Sequence, residues 1–332
     1  MTIRRTLPAA ALAAASALVL PGCSGAASDD TTTDDGAVQV VASTSVYGQI
    51  AEAIGGDAVD VTSIVSSVSQ DPHAYEASAR DQLTVQRADL IIENGGGYDP
   101  FIDGLIDAAG AQAPVVTAVE HSHDWPDNDG HDHADEDDHA DEAEADHDHD
   151  HDDHDHVEGF NEHVWYDPHT VVHVAEDIAE ALSELRPDDA TMFEENLAAF
   201  AGQIEQLEAE LADLAAVHAG QGAFVTEPAP VYLAVAAGLT DLTPPAFSEA
   251  VEEGQDVPPA TLLEALDVIA SRDVAVLLTN AQTAGAETTE AIDAAEAAGV
   301  PVVEVTETLP DGTTYIEWMQ DNIRALAAAL DA

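Results

Sequence analysis

Residues 188–218 read DDATMFEENLAAFAGQIEQLEAELADLAAVH, and this stretch decides the predicted fold. It follows Pro187, and Asp188 and Asp189 are residue types that commonly begin a helix. A single helix of this length would extend for about 45 Å at 1.5 Å per residue. The alternative is two helices broken at Gly202, but one glycine costs a helix only about 1 kcal/mol. We therefore predict one continuous linking helix.

Short β-branched runs alternate with helical patterns on both sides of this helix. The predicted strands are residues 38–42, 59–65, 88–92 and 115–118 before the helix and 223–226, 240–243, 274–278 and 302–305 after it. The helical patterns cover 46–54, 80–87 and 100–109 before it and 259–270, 287–298 and 315–330 after it. This alternation is typical of a parallel sheet covered by helices. The sequence thus predicts an N-terminal α/β lobe (37–187), a linking helix (188–218) and a C-terminal α/β lobe (219–332).

The N-terminus has the pattern of an export signal. Arg4 and Arg5 precede an apolar run over residues 7–20 that is too short to span a bilayer, and the segment ends at Cys23. The sequence before Cys23 resembles a lipobox, although Pro21 is unusual there. We therefore expect a lipoprotein signal peptide (1–23), lipidation at Cys23 and a flexible tether (24–36). The alternative is a secreted or periplasmic protein without a lipid anchor.

The formal net charge is −60, from 67 acidic residues against 7 basic residues that are all arginine. Only 17 of the acidic residues lie between His121 and His156, so the whole chain is acidic. Such a surface repels a polyphosphate and attracts cations. The composition therefore excludes nucleic acid as a partner. Because Cys23 is the only cysteine, a metal site in the mature chain must use His, Asp and Glu.

The segment from residue 121 to 156 consists almost entirely of histidine and carboxylates in its second half. A chain this polar cannot offset its ordering entropy by burial, so we expect a disordered insert. His-rich tracts also indicate metal binding. The predicted auxiliary ligands are His131, His133, His139, His147, His149, His151, His154 and His156. We expect several weak sites that collect or sense zinc, and the alternative is a solvated spacer.

Four further residues follow predicted strands or the insert: His73, His163, Glu227 and Glu307. Ligands of α/β sheets bind beyond the carboxyl ends of the strands. Each residue alone is weak support, but two from each half could converge across a cleft. Two imidazoles and two carboxylates suit zinc, and they suit manganese when both carboxylates bind in a bidentate way.

The order of motifs closely resembles a known family over nearly the whole mature chain. DPHAYE, ADLIIENGGGYDPF, a His-rich insert, NEHVWYDP, a long helix and then TEPAPVYLAVAAGL are similar to the metal-binding solute-binding proteins of zinc and manganese ABC importers. The resemblance implies two (βα)4 lobes with parallel sheets, joined by one long helix, with one metal in the interlobe cleft. It also implies that His73, His163, Glu227 and Glu307 are the metal ligands.

The resemblance is compatible with either zinc or manganese as the bound metal. Zinc-binding members usually carry histidine where this chain has Glu227, and manganese-binding members carry glutamate there. The His-rich insert accompanies zinc in the family. Because imidazole ligands and the general affinity order favour zinc, we predict Zn(II), with Mn(II) as the alternative.

The predicted function is therefore extracytoplasmic capture of zinc by a lipid-anchored, monomeric protein that delivers the metal to the membrane permease of an ABC importer. Two other functional classes are alternatives. A zinc hydrolase lacks support because no HExxH motif is present, although His169 and His173 form a possible ligand pair on a predicted helix. A zinc buffer would place its function in the insert alone.

Overall fold

The computed structural model describes residues 36–126, 157, 159–283 and 285–332. Strands and helices alternate on both sides of one long helix. The strands are β1 (Val38–Thr44), β2 (Val59–Val65), β3 (Leu90–Glu93), β4 (Val115–Thr117), β5 (Gly222–Val225), β6 (Thr240–Asp241), β7 (Val274–Asn280) and β8 (Val302–Val305). The helices are α1 (Ser45–Gly55), α2 (Ala79–Val85), α3 (Pro100–Ala109), α4 (Pro168–Leu185), α5 (Ala190–His218), α6 (Val231–Ala236), α7 (Pro245–Glu252), α8 (Pro259–Ala270), α9 (Ala286–Ala298) and α10 (Tyr315–Leu330).

The strands form two separate four-stranded sheets with the same topology. Their orders are β2-β1-β3-β4 and β6-β5-β7-β8, and every neighbouring pair is parallel. In the first sheet the strand that follows β1 in the chain, β2, lies on one side of it, and the next strand, β3, lies on the other side. In the second sheet β6 and β7 flank β5 in the same way. The strand order therefore reverses between β1 and β3 and between β5 and β7. Ligands of open α/β sheets bind at such a switch point, beyond the carboxyl ends of the two strands. The predicted fold class, two parallel α/β lobes joined by a long helix, is confirmed.

Helix α5 is continuous over 29 residues and runs through Gly202 without a break. It begins at Ala190, two residues later than predicted, because Pro187–Asp189 forms a 3₁₀ turn closed by a 3.0 Å hydrogen bond from Asp189 N to Arg186 O. The predicted single linking helix is therefore confirmed, and only its start differs.

The linking helix belongs to the core that both lobes share. Its buried residues recur at helical spacing and are Phe193, Phe200, Ile204, Leu207, Leu211 and His218. The apolar members join one hydrophobic cluster with residues of α1, α4 and α10. Near its C-terminal end the backbone of Gly238, at φ +78°, lies so close that an added Cβ would come within 2.9 Å of Ala215 Cα. Only glycine readily adopts this positive φ and also lacks the Cβ that would clash with Ala215. We therefore infer that Gly238 permits the close packing of α5 on the end of α6.

Several sequence predictions fall on residues outside the described part of the chain. These are the signal peptide with Cys23, the tether, and the insert ligands His131, His133, His139, His147, His149, His151, His154 and His156. They remain predictions. Among the helices that the structure does describe, none has the length and apolar character needed to cross a membrane.

Candidate metal centre

His73 lies in the loop between β2 and α2, and a hydrogen bond from its backbone N–H holds it there. Its N–H donates to Asp71 Oδ1 at 2.9 Å. The imidazole packs edge-on against Tyr98, with ring centroids 4.8 Å apart. Its Nε2 lies 3.7 Å from Glu307 Oε2, which belongs to the C-terminal lobe. The structure thus brings two of the predicted site residues together across the lobes.

His163 precedes the 3₁₀ turn Val164–Tyr166 and is almost completely buried. Its Nδ1 is 2.9 Å from Asn161 Oδ1. Because an amide oxygen only accepts hydrogen bonds, Nδ1 carries a proton, and in the neutral imidazole the lone pair is then on Nε2. The ring lies 5.7 Å from that of His73 and 5.1 Å from that of Trp165, measured between centroids. A histidine held this way presents Nε2 to the cleft, as metal-binding histidines do.

Glu307 follows β8 and is buried among donors. Its Oε1 accepts from Asn280 Nδ2 at 2.5 Å, and its Oε2 accepts from Tyr98 Oη at 3.0 Å. Its backbone N–H donates to Gln282 Oε1 at 2.6 Å. These three contacts come from both lobes, so the carboxylate is held in one orientation.

Glu227 follows β5 and is also buried, with 1% of its surface exposed. Its Oε2 accepts a hydrogen bond from Thr283 Oγ1. Its Oε1 has no hydrogen-bond partner in the described part of the chain. A buried carboxylate oxygen without a partner costs about 1–3 kcal/mol or more, and a cation bound at this oxygen would remove that cost.

Glu252, the last residue of α7, was not predicted from the sequence but lies at the centre of this cluster. Its Oε1 is 3.5 Å from His163 Nε2 and 4.0 Å from His73 Nε2. Donor atoms of His73, His163 and Glu252 all lie within 4.8 Å of one another. Tetrahedral zinc bound at about 2.1 Å separates its donor atoms by about 3.4 Å. The His163–Glu252 distance is already close to this value, and the His73–Glu252 distance is about 0.6 Å longer. The sequence carries no clear signal for this role, because the short helix that places Glu252 is not evident from the sequence.

The three carboxyl groups have strongly raised pKa values. Burial raises the pKa of Glu227 to about 7. Burial, followed by the charges of Glu162, Glu227 and Glu307, raises the pKa of Glu252 to about 10. Burial and the charge of Glu227 raise the pKa of Glu307 well above its ordinary value. Because burial and mutual repulsion disfavour the ionised form, these carboxyl groups bind protons more tightly than usual. A divalent cation that binds them would replace those protons.

Hydrogen bonds between the lobes hold the cleft together around these residues. Asn161 Nδ2 donates to Pro228 O at 3.1 Å, and Tyr232 Oη donates to Asn161 O at 2.9 Å. On the other side, Gln282 Nε2 donates to Gln70 O at 2.6 Å. Asn161 thus orients His163 and also contacts the loop that follows Glu227. Asn161 and Gln282 thus connect the loops that carry predicted ligands to the opposite lobe.

The protein resembles metal-binding uptake proteins in sequence and fold. A family model described as "ZnuA: Zinc-uptake complex component A periplasmic" matches residues 40–329. The zinc-binding lipoprotein AdcA of Streptococcus pneumoniae is 27% identical over 96% of this chain, which spans 60% of that relative's length. The manganese-binding lipoprotein MntA of Halalkalibacterium halodurans is 27% identical over 58% of this chain and 54% of its own length.

The fold comparison agrees with the sequence comparison. The periplasmic zinc binding protein TroA from Treponema pallidum superposes with a TM-score of 0.67 at 20% identity, covering 89% of this chain and 99% of that one. At this identity the likeness shows the fold alone. Members of this family are substrate-binding components of transport systems and not enzymes, as the sequence predicts. Because the family model spans most of its length, the chain belongs to the ZnuA family of periplasmic zinc-uptake components.

Proposed function

We propose that this protein captures a zinc ion in the cleft between its lobes and delivers it to the membrane permease of an ABC importer. The observation that carries the proposal is the convergence of His73 and His163 with Glu252 and Glu307, which come from opposite lobes. Nitrogen and oxygen donors of this kind are those that zinc and manganese take in proteins. Membership of the ZnuA family supports the transport role.

The proposed ligands are His73, His163, Glu227 and Glu307, and we add Glu252 as a fifth candidate. The two imidazoles are neutral donors when they bind, so the three carboxylates supply the charge that holds the cation. Glu227 contributes through Oε1, its oxygen without a hydrogen-bond partner among the described residues. More donors are available than a tetrahedral ion needs, so water is excluded once the ion is bound.

Zinc is the proposed metal, and manganese is the second candidate. Two imidazoles and the general affinity order favour zinc, and the zinc-binding relative aligns over nearly the whole chain. The number of carboxylates favours manganese, which prefers oxygen ligands, and manganese-binding relatives align over about half of the chain.

We also propose that the chain is anchored outside the cytoplasm by a lipid on Cys23 and acts as a monomer. The support is the signal-like N-terminus and the fact that the named relatives are lipoproteins. A tethered binding protein remains close to its permease, which raises the effective concentration of the partner. The His-rich insert remains a proposed zinc collector on the basis of its sequence alone.

Metal titration of the metal-depleted protein tests the proposed function. We expect one tight zinc site per chain above several weaker ones, and manganese should displace zinc only in large excess. A set of similar weak sites without a tight one would instead favour a buffer. Displacement of zinc by an equal concentration of manganese would favour the manganese alternative.

Replacing Glu227 by histidine should shift the metal preference further toward zinc. The change exchanges a hard oxygen donor for a softer nitrogen donor, so we expect the zinc-to-manganese affinity ratio to rise by about tenfold or more. Competition titrations with both metals measure this ratio. Glu249→His on the exposed surface of α7 is the matched control and should leave the tight site unchanged. An unchanged ratio in Glu227→His would remove Glu227 from the ligand set.

A further inference from the structure

We propose that the exposed surface of α4 binds a second divalent ion of the zinc class through the imidazoles of His169 and His173, independently of the cleft. The two residues lie four positions apart on one helix, so they project from the same face. They are 59% and 36% exposed, which leaves them accessible from solvent. The proposed metal centre in the cleft does not use either of them.

The distance between the two rings fits chelation of one ion. Their centroids are 5.0 Å apart. Two imidazoles bound through Nε2 to one tetrahedral zinc at about 2.0 Å have centroids about 5 Å apart. The helix backbone already holds both residues, so little ordering of the chain is needed when the metal binds.

Each imidazole also has a carboxylate beside its Nδ1. His173 Nδ1 lies 2.9 Å from Glu176 Oε2, on the same helix. His169 Nδ1 lies 3.9 Å from Glu208 Oε1, on α5. At His173 this distance allows a hydrogen bond that keeps the proton on Nδ1 and leaves the Nε2 lone pair for a metal, as is usual around zinc-binding histidines. At His169 the carboxylate is too far away for a hydrogen bond and contributes only negative charge.

One local effect opposes binding. His169 is in the first turn of α4, where the positive end of the helix dipole disfavours a cation by about 0.3–1 kcal/mol. The carboxylate of Asp167 offsets this effect, because it accepts hydrogen bonds from the N–H groups of His169 and Thr170. The charges of Glu176 and Glu208 add to the attraction. The local field therefore does not exclude a cation.

We expect a weaker site than the one in the cleft. Within the described ranges, the cleft cluster is the one place where three His or carboxylate donors lie within 4.8 Å of one another. Water must therefore complete the coordination at the pair. Such a site exchanges its ion readily and suits transient binding of zinc outside the cleft.

Histidine NMR signals of the full chain test the proposal directly. The ring signals are assigned with His169→Asn and His173→Asn, and zinc is added after the tight site has been filled. We expect the two ring signals to shift together with one midpoint, at a lower zinc concentration than the signal of exposed His123. In either single variant the midpoint of the remaining partner should rise by about tenfold or more, because chelation is lost. Glu176→Gln should raise the midpoint by about tenfold.

Three outcomes would overturn the inference. The first is an unchanged midpoint of the remaining ring in the single variants, which would mean that the two imidazoles act independently. The second is a pair that responds no earlier than His123. The third is loss of the response in His73→Ala, which would mean that the signals report zinc in the cleft. Because His73→Ala removes a proposed cleft ligand, its retained response at α4 also separates this inference from the proposed function.

Discussion

Replacing either His73 or His163 by alanine should abolish tight zinc binding while leaving the fold intact. Structural zinc sites contribute about 10–16 kcal/mol, so one of four ligands contributes about 3–4 kcal/mol. That loss corresponds to a weakening of about a hundred- to a thousandfold. Equilibrium competition with a chelator of known affinity measures it.

The fold should survive because neither side chain joins an apolar cluster. His73 lies in a loop, and the buried His163 packs on the rings of Tyr98 and Trp165 without belonging to the apolar cluster itself. Circular dichroism and thermal unfolding of the metal-free variants check this point. His123→Ala removes an exposed histidine outside the cluster and should leave the tight site unchanged. Wild-type affinity in both His73→Ala and His163→Ala would contradict the site assignment.

The architecture could be predicted because most of its strands and helices carry their own local signal. Strands β2 and β8 and helices α3, α8 and α10 match the predicted ranges, since β-branched runs and helical spacing are local properties. The long helix was predicted despite Gly202, because the cost of one glycine is small compared with the burial of a whole apolar face. The boundaries of the other predicted strands and helices differed from the observed ones by one or two residues.

The site was harder to predict because it depends on tertiary contacts. Helix α7 starts at Pro244-Pro245 and covers only eight residues, so its pattern is too short to identify. Without that helix nothing in the sequence places Glu252 beside His163, which is 89 positions away in the chain. His73 and His163 were identified through the motifs around them. The orientation of each by Asp71 and Asn161 depends on side-chain geometry that motifs do not contain.

The metal-free protein should lose stability as the pH rises from about 5.5 to 8. The pKa of Glu252 is raised from 4.5 to about 10 by burial and by neighbouring carboxylates, so the folded state binds more protons than the unfolded state in this range. Stability is then greatest below the unfolded pKa and is lost as pH rises toward the folded pKa. For Glu252 we expect a loss of about 3 kcal/mol in the free energy of unfolding, since this range covers about 2.5 pH units and each unit corresponds to about 1.4 kcal/mol.

Glu252→Gln isolates this effect from the repulsion among the other acidic residues. Glutamine keeps the shape but has no proton to lose, so the metal-free variant should be more stable than wild type at pH 8 and similar to it at pH 5.5. Glu249→Gln, at an exposed position of the same helix, removes the same charge without the burial and should change little. Denaturant unfolding in the presence of a chelator measures all three proteins at both pH values.

Zinc should reverse the pH dependence in the wild type. A bound ion replaces the protons on the buried carboxylates, so its stabilising effect grows as the pH rises and the competing protons are removed. The repulsion that destabilises the empty cleft is then the same property that makes it select a divalent cation. If metal-free Glu252→Gln and Glu249→Gln have the same free energy of unfolding at pH 8, Glu252 is not the source of this destabilisation. The cleft would then have to be described by its two histidines with Glu227 and Glu307 alone.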